Sequence, residues 1–388
     1  MNAWLLMMPP KQLDDIQSYT NRKLSAKGKE VLTRGQLVKF IGVLLLMTRY
    51  TFADRRELWA TEPTSKYVPA ARFGEITGMG RDRFDDIFSC LTFSYQPEVK
   101  PADMSHADYR WLLVDGFVDN INRHRVNCFH CSGTICCDES ISRWYGNGGN
   151  WIDRGLPMYV AIDRKPENGG EIQNIVDGDT GIMLQLTIVK AAEHNARHNT
   201  LPHGTNVLME LTAPWHNSSV PRRVVADSFF SGVVTMESLA AVGLSLTGVV
   251  KTMTKKFPMN YLKNVVLPTR GSHHAVCCYN EDGSVKAVAC VWVDRERRYF
   301  ISKGGSLEPG DDIVRSRWRQ LESDDEELQS APPSLREGNA ARVTTTTPQP
   351  KLVQEYFGSA SLIDRHNRSR QANLGLERKV HTKDWATR

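Results

Sequence analysis

No apolar run in this sequence is long enough to cross a bilayer, and neither sign of charge dominates it. The longest apolar run covers residues 40–47, whereas a membrane-spanning helix needs about 20 apolar residues. The 49 Lys and Arg only slightly exceed the 44 Asp and Glu, so the net charge is +5. This mild basic excess permits a polyanionic partner without requiring one. We expect no membrane partner, and 388 residues suffice for two or three domains.

The sequence also lacks the paired cysteine spacing of a zinc finger. Cys128 and Cys131 have a C-x2-C spacing, but no second matching pair follows at the distance that a structural zinc site needs. The adjacent cysteines at 136–137 and at 277–278 cannot easily chelate one metal, because neighbouring residues of a strand point to opposite faces. We therefore expect the eight cysteines to be reduced and largely buried, as in an intracellular protein.

Residues 1–130 have the apolar periodicity of helices. Thr33 is suited to cap one of them, because a threonine side chain can accept a hydrogen bond from an amide of the first turn. The apolar stripes are Leu37, Phe40, Ile41, Leu44 and Leu45; Phe84, Ile87, Phe88 and Leu91; and Trp111, Leu112, Val114, Phe117, Val118 and Ile121. We predict a helical N-terminal domain with these stripes in its core.

From about residue 131 the pattern changes to short β-branched segments. The predicted strands cover 133–137, 171–177, 182–190, 222–226 and 245–251, and predicted helices cover about 204–212 and 231–242. Residues 177–181 (Asp-Gly-Asp-Thr-Gly) are a hairpin turn signal. The order of three strands, helix, strand, helix and strand predicts a mixed α/β sheet. The expected fold class is therefore α+β.

The remainder of the chain divides into three stretches. Residues 256–303 are β-rich and predict an insertion into the α/β domain. Residues 304–350 are polar, with an acidic run at 324–327, a proline pair at 332–333 and four threonines at 344–347. Because such a composition buries little apolar area, we predict a disordered connector there. A helical pattern resumes after Pro350, so 131–255 and 351–388 together are expected to form the core domain.

Three aspartates are placed where a metal-dependent phosphoryl enzyme needs acids. Asp227 ends the β-branched run at 224–226, Asp138 follows the predicted strand at 133–137, and Asp364 lies in the C-terminal helical stretch. A carboxylate at the end of a buried strand is held on rigid backbone and still opens to solvent. Three such acids can meet at one site and hold two divalent ions about 4 Å apart, as in-line displacement at phosphorus requires.

Each of these acids also has a plainer explanation. Asp138 and Asp227 can be strand-end caps, and Asp364 can be an acid in the first turn of a helix, where the helix dipole stabilises it. Glu139 is the neighbour of Asp138, so only one of the two is expected to face the site from a strand.

Other acids compete for the third position. Asp294 lies between two β-rich runs, where a hairpin turn explains it better. Asp163, Asp177 and Asp179 are likewise better explained as turn acids.

Several stretches resemble the piggyBac-type transposases, within the wider group of enzymes that have an RNase H-like catalytic core. Residues 137–140 (Cys-Asp-Glu-Ser) resemble the family's Asp-Glu-Ser block on its first strand. Residues 226–231 (Ala-Asp-Ser-Phe-Phe-Ser) are similar to its Asp-Asn-Phe-Phe-Thr-Ser block. Further similar segments are 164–172, 177–181, 246–258 and 356–364. Their order and spacing agree with the family over about residues 5–388.

The resemblance implies an RNase H-like core and a cut-and-paste DNA transposase that uses Mg²⁺ or Mn²⁺. It carries over Asp138, Asp227 and Asp364 as the catalytic, metal-binding carboxylates. The implied partners are DNA, as hairpin-forming transposon ends and a TTAA target, and a second copy of the chain in a homodimer. The helical domain at 1–130 would serve dimerisation and DNA binding, and the implied location is the nucleus.

Two departures from the family pattern favour a truncated and defective transposase. The family often has a further acid three residues after its third aspartate, where this chain has Asn367. The family also continues into a cysteine-rich, zinc-binding domain that binds transposon ends, and we expect this domain to be absent because the chain ends at Arg388. The alternative is a domesticated, catalytically inactive protein that acts in DNA binding or protein interaction. A metal-dependent phosphohydrolase unrelated to transposition is a third class.

Basic and aromatic residues supply candidates for contact with DNA. The basic candidates are Lys251, Lys255, Lys256 and Arg270, and Arg365, Arg368 and Arg370 beside the third acid. Positive side chains next to a catalytic cluster can hold the phosphate backbone, although a solvated surface also explains each of them. Trp144, Trp151 and Trp292 can stack on flipped bases or belong to the core.

Overall fold

In the computed structural model the chain groups into two compact units. The first contains Met1–Ser132, Cys137–Asn199 and Leu362–Arg388, and the second contains Gly133–Cys136 and Thr200–Ser361. The structure describes residues 2–387 except 51, 64–65, 68, 147–154, 162–167, 191–200, 321–335, 338–339, 374, 376–381 and 383. Trp151, Asp163, the acidic run at 324–327 and the proline pair at 332–333 lie outside the described residues.

Helices make up most of the first 128 residues, as the periodicity predicted. They are α1 (Asn2–Met7), α2 (Pro10–Ala26), α3 (Arg34–Met47), α4 (Phe73–Thr77), α5 (Arg81–Cys90) and α6 (His106–Cys128), with a 3-10 turn at Arg55–Trp59. Thr33 caps α3 through two reciprocal hydrogen bonds. The Thr33 side chain accepts a hydrogen bond from the backbone amide of Gln36, and the Gln36 side chain accepts one from the backbone amide of Thr33. The predicted cap is confirmed. None of the described helices has the length and apolar character that a membrane span requires.

The core of this helical region is built from the apolar faces of α2, α3 and α5. The predicted stripe Phe84, Ile87, Phe88 and Leu91 is buried throughout. In α3 the buried residues are instead Leu37, Phe40, Val43 and Met47, while Leu45 is 47% exposed. The predicted face of α3 is partly wrong because residues 40–47 are apolar on every side. Periodicity cannot locate the buried face of such a helix.

The strands of the first unit follow α6. They are the larger part of β1 (Thr134–Arg143), β2 (Val160–Ala161), β3 (Asn168–Asp177) and β4 (Met183–Ile188). β3 pairs antiparallel with β2 and β4 and lies next to β1 in the sheet.

The turn between β3 and β4 is the one that the sequence predicted. The carboxylate of Asp177 accepts the amides of Ser132 and Thr180, and Gly181 has a φ of +71°, which glycine tolerates. Burial would raise the pKa of Asp177, but these hydrogen bonds outweigh burial and hold the pKa below its ordinary value. Asp177 is therefore a turn acid, as predicted, and Asp179 lies in the same turn.

The second unit alternates helices and strands before it becomes strand-rich. Its helices are α7 (His203–Thr212), α8 (Val233–Ala241), α9 (Met259–Asn264) and α10 (Lys351–Ala360). Its strands are β5 (Arg222–Ala226), β6 (Leu244–Val249), β7 (His273–Tyr279), β8 (Val285–Val293), β9 (Arg297–Ser302), β10 (Ile313–Gln320), β11 (Arg336–Glu337) and β12 (Ala340–Thr347). The start of β1 lies beside β5, where the Arg223 amide donates to the Gly133 carbonyl at 2.8 Å.

The β-rich stretch at 256–303 continues the sheet of the second unit. β5 and β6 run parallel, β9 pairs antiparallel with β6, and β8 and β7 follow in order. The predicted strand content is therefore present, and the interpretation of this stretch as an insertion stays a prediction. Local patterns identify strands, whereas the pairing of β6 with β9 is a long-range contact that no local pattern specifies.

The predicted disordered connector at 304–350 is wrong for the residues of β10 and β12. These two strands pair antiparallel along eight residues each, from Ile313 opposite Thr347 to Gln320 opposite Ala340. The prediction considered only polarity. Threonine is β-branched, and β-branched side chains favour strands even where they bury little apolar surface.

Helical structure resumes after Pro350, as predicted. α10 belongs to the second unit, and α11 (Leu362–Arg368) and a π-helical segment at Ser369–Asn373 belong to the first.

Candidate metal centre

Asp138 and Glu139 lie in the middle of β1, directly after its most buried residues. Residues 135–137 are each at most 1% exposed, whereas the two acids are half-buried. One carboxylate oxygen of Asp138 accepts the amide of Glu139 at 2.8 Å. The next residue, Ser140, is buried and accepts a hydrogen bond from Asn174 of β3 at 2.7 Å. The strand is therefore fixed on both sides of the two acids.

Asp227 directly follows β5, in the turn that leads to α8. Residues 224–226 are at most 1% exposed, and Asp227 is half-buried. A carboxylate oxygen of Asp227 accepts the amide of Phe229 at 2.8 Å, and its carbonyl accepts the amide of Ser231 at 3.0 Å. Gly248 of β6 permits this turn to lie close, because a Cβ there would collide with the Ser231 hydroxyl. The turn therefore holds the carboxylate in a defined position.

Asp138, Glu139 and Asp227 form a group of acids that could hold a metal ion. Each offers one carboxylate oxygen, and these oxygens lie within 4.8 Å of one another. Carboxylate oxygens are the donors that hard divalent cations such as Mg²⁺ and Mn²⁺ select. Without a cation, carboxylates this close repel one another. The donor set therefore fits a divalent metal, and the catalytic role of Asp138 and Asp227 stays a prediction.

Glu139 was not among the predicted site residues. The alternation of side chains along a strand suggested that it faces away from Asp138. Alternation fixes the direction of the Cβ atom, but a glutamate carboxylate lies two carbons further out and can reach back. The adjacent Asp-Glu pair in the sequence is the signal that could have identified it.

Asp364 lies in the first turn of α11 and is exposed. Beyond this helix, Arg370 and Gln371 both donate to the carbonyl of Ile141 on β1, each at 3.0 Å. These bonds tie the segment after α11 to the strand that carries Asp138. Among the described residues, the group of acids that could hold a metal does not include Asp364. Its role as the third metal-binding carboxylate stays a prediction.

Asp294 is a structural acid of the turn between β8 and β9, which confirms its interpretation as a hairpin residue. It is 8% exposed and accepts hydrogen bonds from Arg270 Nε at 2.9 Å and from Arg315 Nη1 at 2.7 Å. Burial alone would raise the pKa of Asp294, but the bonds and charges of the two arginines outweigh burial and hold the pKa below its ordinary value. Both arginines therefore neutralise Asp294.

The cations predicted to contact DNA fall into two sets. The candidates for DNA contact that are exposed are Lys251, Lys255 and Lys256 after β6, and Arg365 and Arg368 on α11. Their role stays a prediction. Two further arginines considered for this role have structural partners, because Arg270 pairs with Asp294 and Arg370 bonds to Ile141.

Two of the tryptophans considered for base stacking belong to the core. Trp144 is 6% exposed and Trp292 is 0% exposed. Both are thus core residues in the described structure.

The described cysteines form no disulfide, and four of them are buried. Burial raises the pKa of the Cys290 thiol to about 12. The prediction of burial is wrong for Cys277 and Cys278, because β7 is the last strand of its sheet. Cys128 and Cys131 are half-buried, and among the described residues they belong to no metal-binding group.

A family of transposases, described as Transposase IS4, matches residues 1–388. The chain belongs to this transposase family. It is 25% identical over 361 residues to PiggyBac transposable element-derived protein 2 of Homo sapiens, which covers 90% of the chain and 53% of that protein. The chain thus spans about half the length of this curated relative.

A solved structure shows the same fold. It is described as the cryo-EM structure of piggyBac transposase synaptic complex with hairpin DNA. The TM-score is 0.68 at 15% identity, and the match covers 100% of this chain and 78% of that one. The α+β fold and the resemblance to piggyBac-type transposases are confirmed. In a member of this family, the acidic group indicates dependence on a divalent metal.

Proposed function

We propose that this transposase-family chain cleaves and joins DNA strands with two divalent ions, Mg²⁺ or Mn²⁺. The observation that supports this most is the group of carboxylates at Asp138, Glu139 and Asp227. These residues would hold the ions, with Asp364 as a further ligand. Bound there, two ions would supply charge that favours the attacking oxygen and stabilises the leaving oxygen.

The chemistry in this proposal is a pair of in-line displacements at phosphorus. In cleavage, a water oxygen forms a bond to phosphorus, and the bond from phosphorus to the 3′ oxygen breaks. The water loses a proton to solvent, and the leaving 3′ oxygen takes up a proton from solvent to become a hydroxyl. In joining, the liberated 3′ hydroxyl loses its proton and its oxygen forms a bond to a phosphorus of the target strand. The bond from that phosphorus to the target's own 3′ oxygen breaks, and this oxygen takes up a proton. The protein contributes position, because the turn after β5 and the buried part of β1 hold their acids on rigid backbone.

DNA is the proposed partner, as transposon ends and a TTAA target. The exposed lysines at 251, 255 and 256 support it, and so does the similarity to a piggyBac transposase solved with hairpin DNA. A homodimer and a nuclear location complete the proposal. Gel filtration of the chain, with and without transposon-end DNA, would measure its oligomeric state and so test the homodimer.

A second candidate function is DNA binding without cleavage. The human relative is named a transposable element-derived protein. In addition, Asn367 stands where the family often has an acid, and its side-chain oxygen accepts a hydrogen bond from Arg370 at 3.3 Å. An amide oxygen cannot carry the negative charge that a carboxylate offers a cation.

Relaxation of a supercoiled plasmid separates the two functions. We expect the chain to nick the plasmid with Mg²⁺ or Mn²⁺ and not with EDTA, and we expect Asp138→Asn and Asp227→Asn to remove nicking while DNA binding persists. Binding without metal-dependent nicking by the unaltered chain would favour the second function. Nicking that survives both substitutions would contradict the proposed site.

A further inference from the structure

Two adjacent phenylalanines follow Asp227, and only one of them is in the core. Phe230 is 1% exposed, whereas Phe229 is 41% exposed. Single exposed apolar side chains are common and need no explanation by themselves. Phe229 differs from them because it is two residues from a metal-centre acid and is firmly held.

Four contacts fix Phe229, two through its backbone and two through its ring. The Phe229 amide donates to Asp227, so the carboxylate that would bind metal also orients the backbone of the aromatic residue. Helix α7 lies so close to this turn that a Cβ on Gly204 would collide with the Phe229 carbonyl. The Phe229 ring also meets Phe230 edge to face at 4.9 Å and His203 at 6.0 Å. The ring is therefore presented to solvent on a rigid base.

Positive charge lies beside this ring. The ammonium of Lys251 is 5.9 Å from the ring centroid, near the outer limit of a cation–π contact. Lys251, Lys255 and Lys256 are all exposed. A lysine on a flexible stem can turn from the ring to a phosphate that arrives next to it.

An exposed aromatic face next to cations fits one kind of ligand, an unpaired nucleobase with its phosphate. Every base has a π-face, so an aromatic side chain can stack on it whatever its sequence, while cations track the backbone. We infer that Phe229 is a stacking platform for one unpaired base beside the scissile phosphate, with Lys251 on that nucleotide's phosphate. This inference rests on the proposed function and adds a base-binding site to it.

The test measures how much affinity depends on the bases of a single strand. The probes are fluorescently labelled dT12 and a 12-nucleotide strand whose sites are all abasic, titrated with the 388-residue chain in EDTA and followed by anisotropy. We expect the unaltered chain to prefer dT12. Phe229→Leu keeps apolar bulk but has no aromatic face, so it should weaken dT12 binding about 5- to 100-fold and leave abasic binding unchanged. Phe229→Trp should retain the preference.

Matched variants separate stacking from folding and from charge. Tyr279→Ala removes another exposed aromatic residue of the same unit and should change neither affinity. Lys251→Ala should weaken both strands equally, because it acts on the phosphate. Equal weakening of both strands by Phe229→Leu, or no preference for dT12 in the unaltered chain, would overturn the inference.

The plasmid assay distinguishes this inference from the proposed function. Metal-dependent nicking by the unaltered chain, together with undiminished dT12 binding by Phe229→Leu, refutes the stacking site and leaves the cleavage function standing. Loss of base-dependent binding in Phe229→Leu, together with no nicking by the unaltered chain, supports the stacking site and refutes cleavage.

Discussion

The turn after β5 and the turn between β8 and β9 each present an aspartate directly behind a strand, and the two acids have opposite surroundings. Asp294 is 8% exposed and lies between the guanidinium groups of Arg270 and Arg315. Asp227 is half-buried and shares its group with two other carboxylates, Asp138 and Glu139. Two arginines neutralise Asp294, whereas Asp227 lies in an acidic group that could hold a metal ion.

The difference shows that neighbours decide the role of an acid at a strand end. A buried carboxylate between two cations stabilises the fold, and removing it leaves two half-buried guanidinium charges without their partner. A carboxylate among other carboxylates costs stability until a metal binds. Substitutions at the two positions should therefore have opposite effects on stability and on activity.

The largest effect is expected for Asp227→Asn. Losing one metal-binding carboxylate removes several kcal/mol of charge stabilisation from the transition state. The rate of metal-dependent nicking should therefore fall on the order of a thousandfold. The melting temperature in EDTA should stay constant or rise, because the substitution relieves repulsion. Plasmid relaxation and thermal melting of the same preparation check both expectations. A large fall in melting temperature would show that Asp227 is a structural acid like Asp294.

Asp294→Asn should have the reverse profile. It breaks a largely buried pair with two arginines, at a cost of about 3 kcal/mol, which lowers the melting temperature by roughly 6–10 °C. Nicking by the folded fraction should change little. Arg315→Gln is the matched control and should cost less, because Arg270 still pairs with Asp294. Equal melting temperatures for Asp294→Asn and the unaltered chain would contradict a stabilising role.

Local sequence signals predicted most of the elements that position the site. The strand predicted at 222–226 coincides with β5. The helix predicted at 204–212 corresponds to α7, which starts one residue earlier, at His203. Both signals reside in the segment itself, as β-branched residues or helical spacing. The same holds for the cap at Thr33 and the turn at 177–181.

Long-range contacts could not be predicted in this way. The acidity of Asp294 is visible in the sequence, but its partner Arg315 is 21 residues away, in a stretch predicted to be disordered. The pairing of β10 with β12 joins segments separated by residues outside the described structure. Glu139 belongs to the acidic group because of where its carboxylate lies. Strand alternation specifies the direction of the Cβ atom but not the position of a carboxylate on a flexible side chain.

A weaker effect is expected from pH, through Asp294. The pKa of Asp294 in the folded chain lies below its ordinary value of 3.8. Its stabilisation is thus complete above about pH 4 and is lost as the pH falls through the folded-state pKa. The difference in melting temperature between the unaltered chain and Asp294→Asn should shrink between pH 5 and pH 2.5. A variant of an exposed acid, Asp103→Asn, should show no such convergence. A constant difference for Asp294→Asn would contradict the ion pair.

The smallest effect is expected for Asn367→Asp, which adds an acid on α11. Asn367 is half-buried and already accepts a hydrogen bond from Arg370. The new carboxylate should therefore pair with Arg370, as Asp294 pairs with its arginines, and gain about 0.5–1 kcal/mol because the pair is partly solvated. The melting temperature should rise by roughly 2 °C. A double-mutant cycle with Arg370→Gln should return the same coupling. Because an arginine-paired acid offers little charge to a cation, nicking should change by less than about tenfold. A larger rise in nicking would place the new carboxylate on the metal, and Asn367 would then explain weak activity of the unaltered chain.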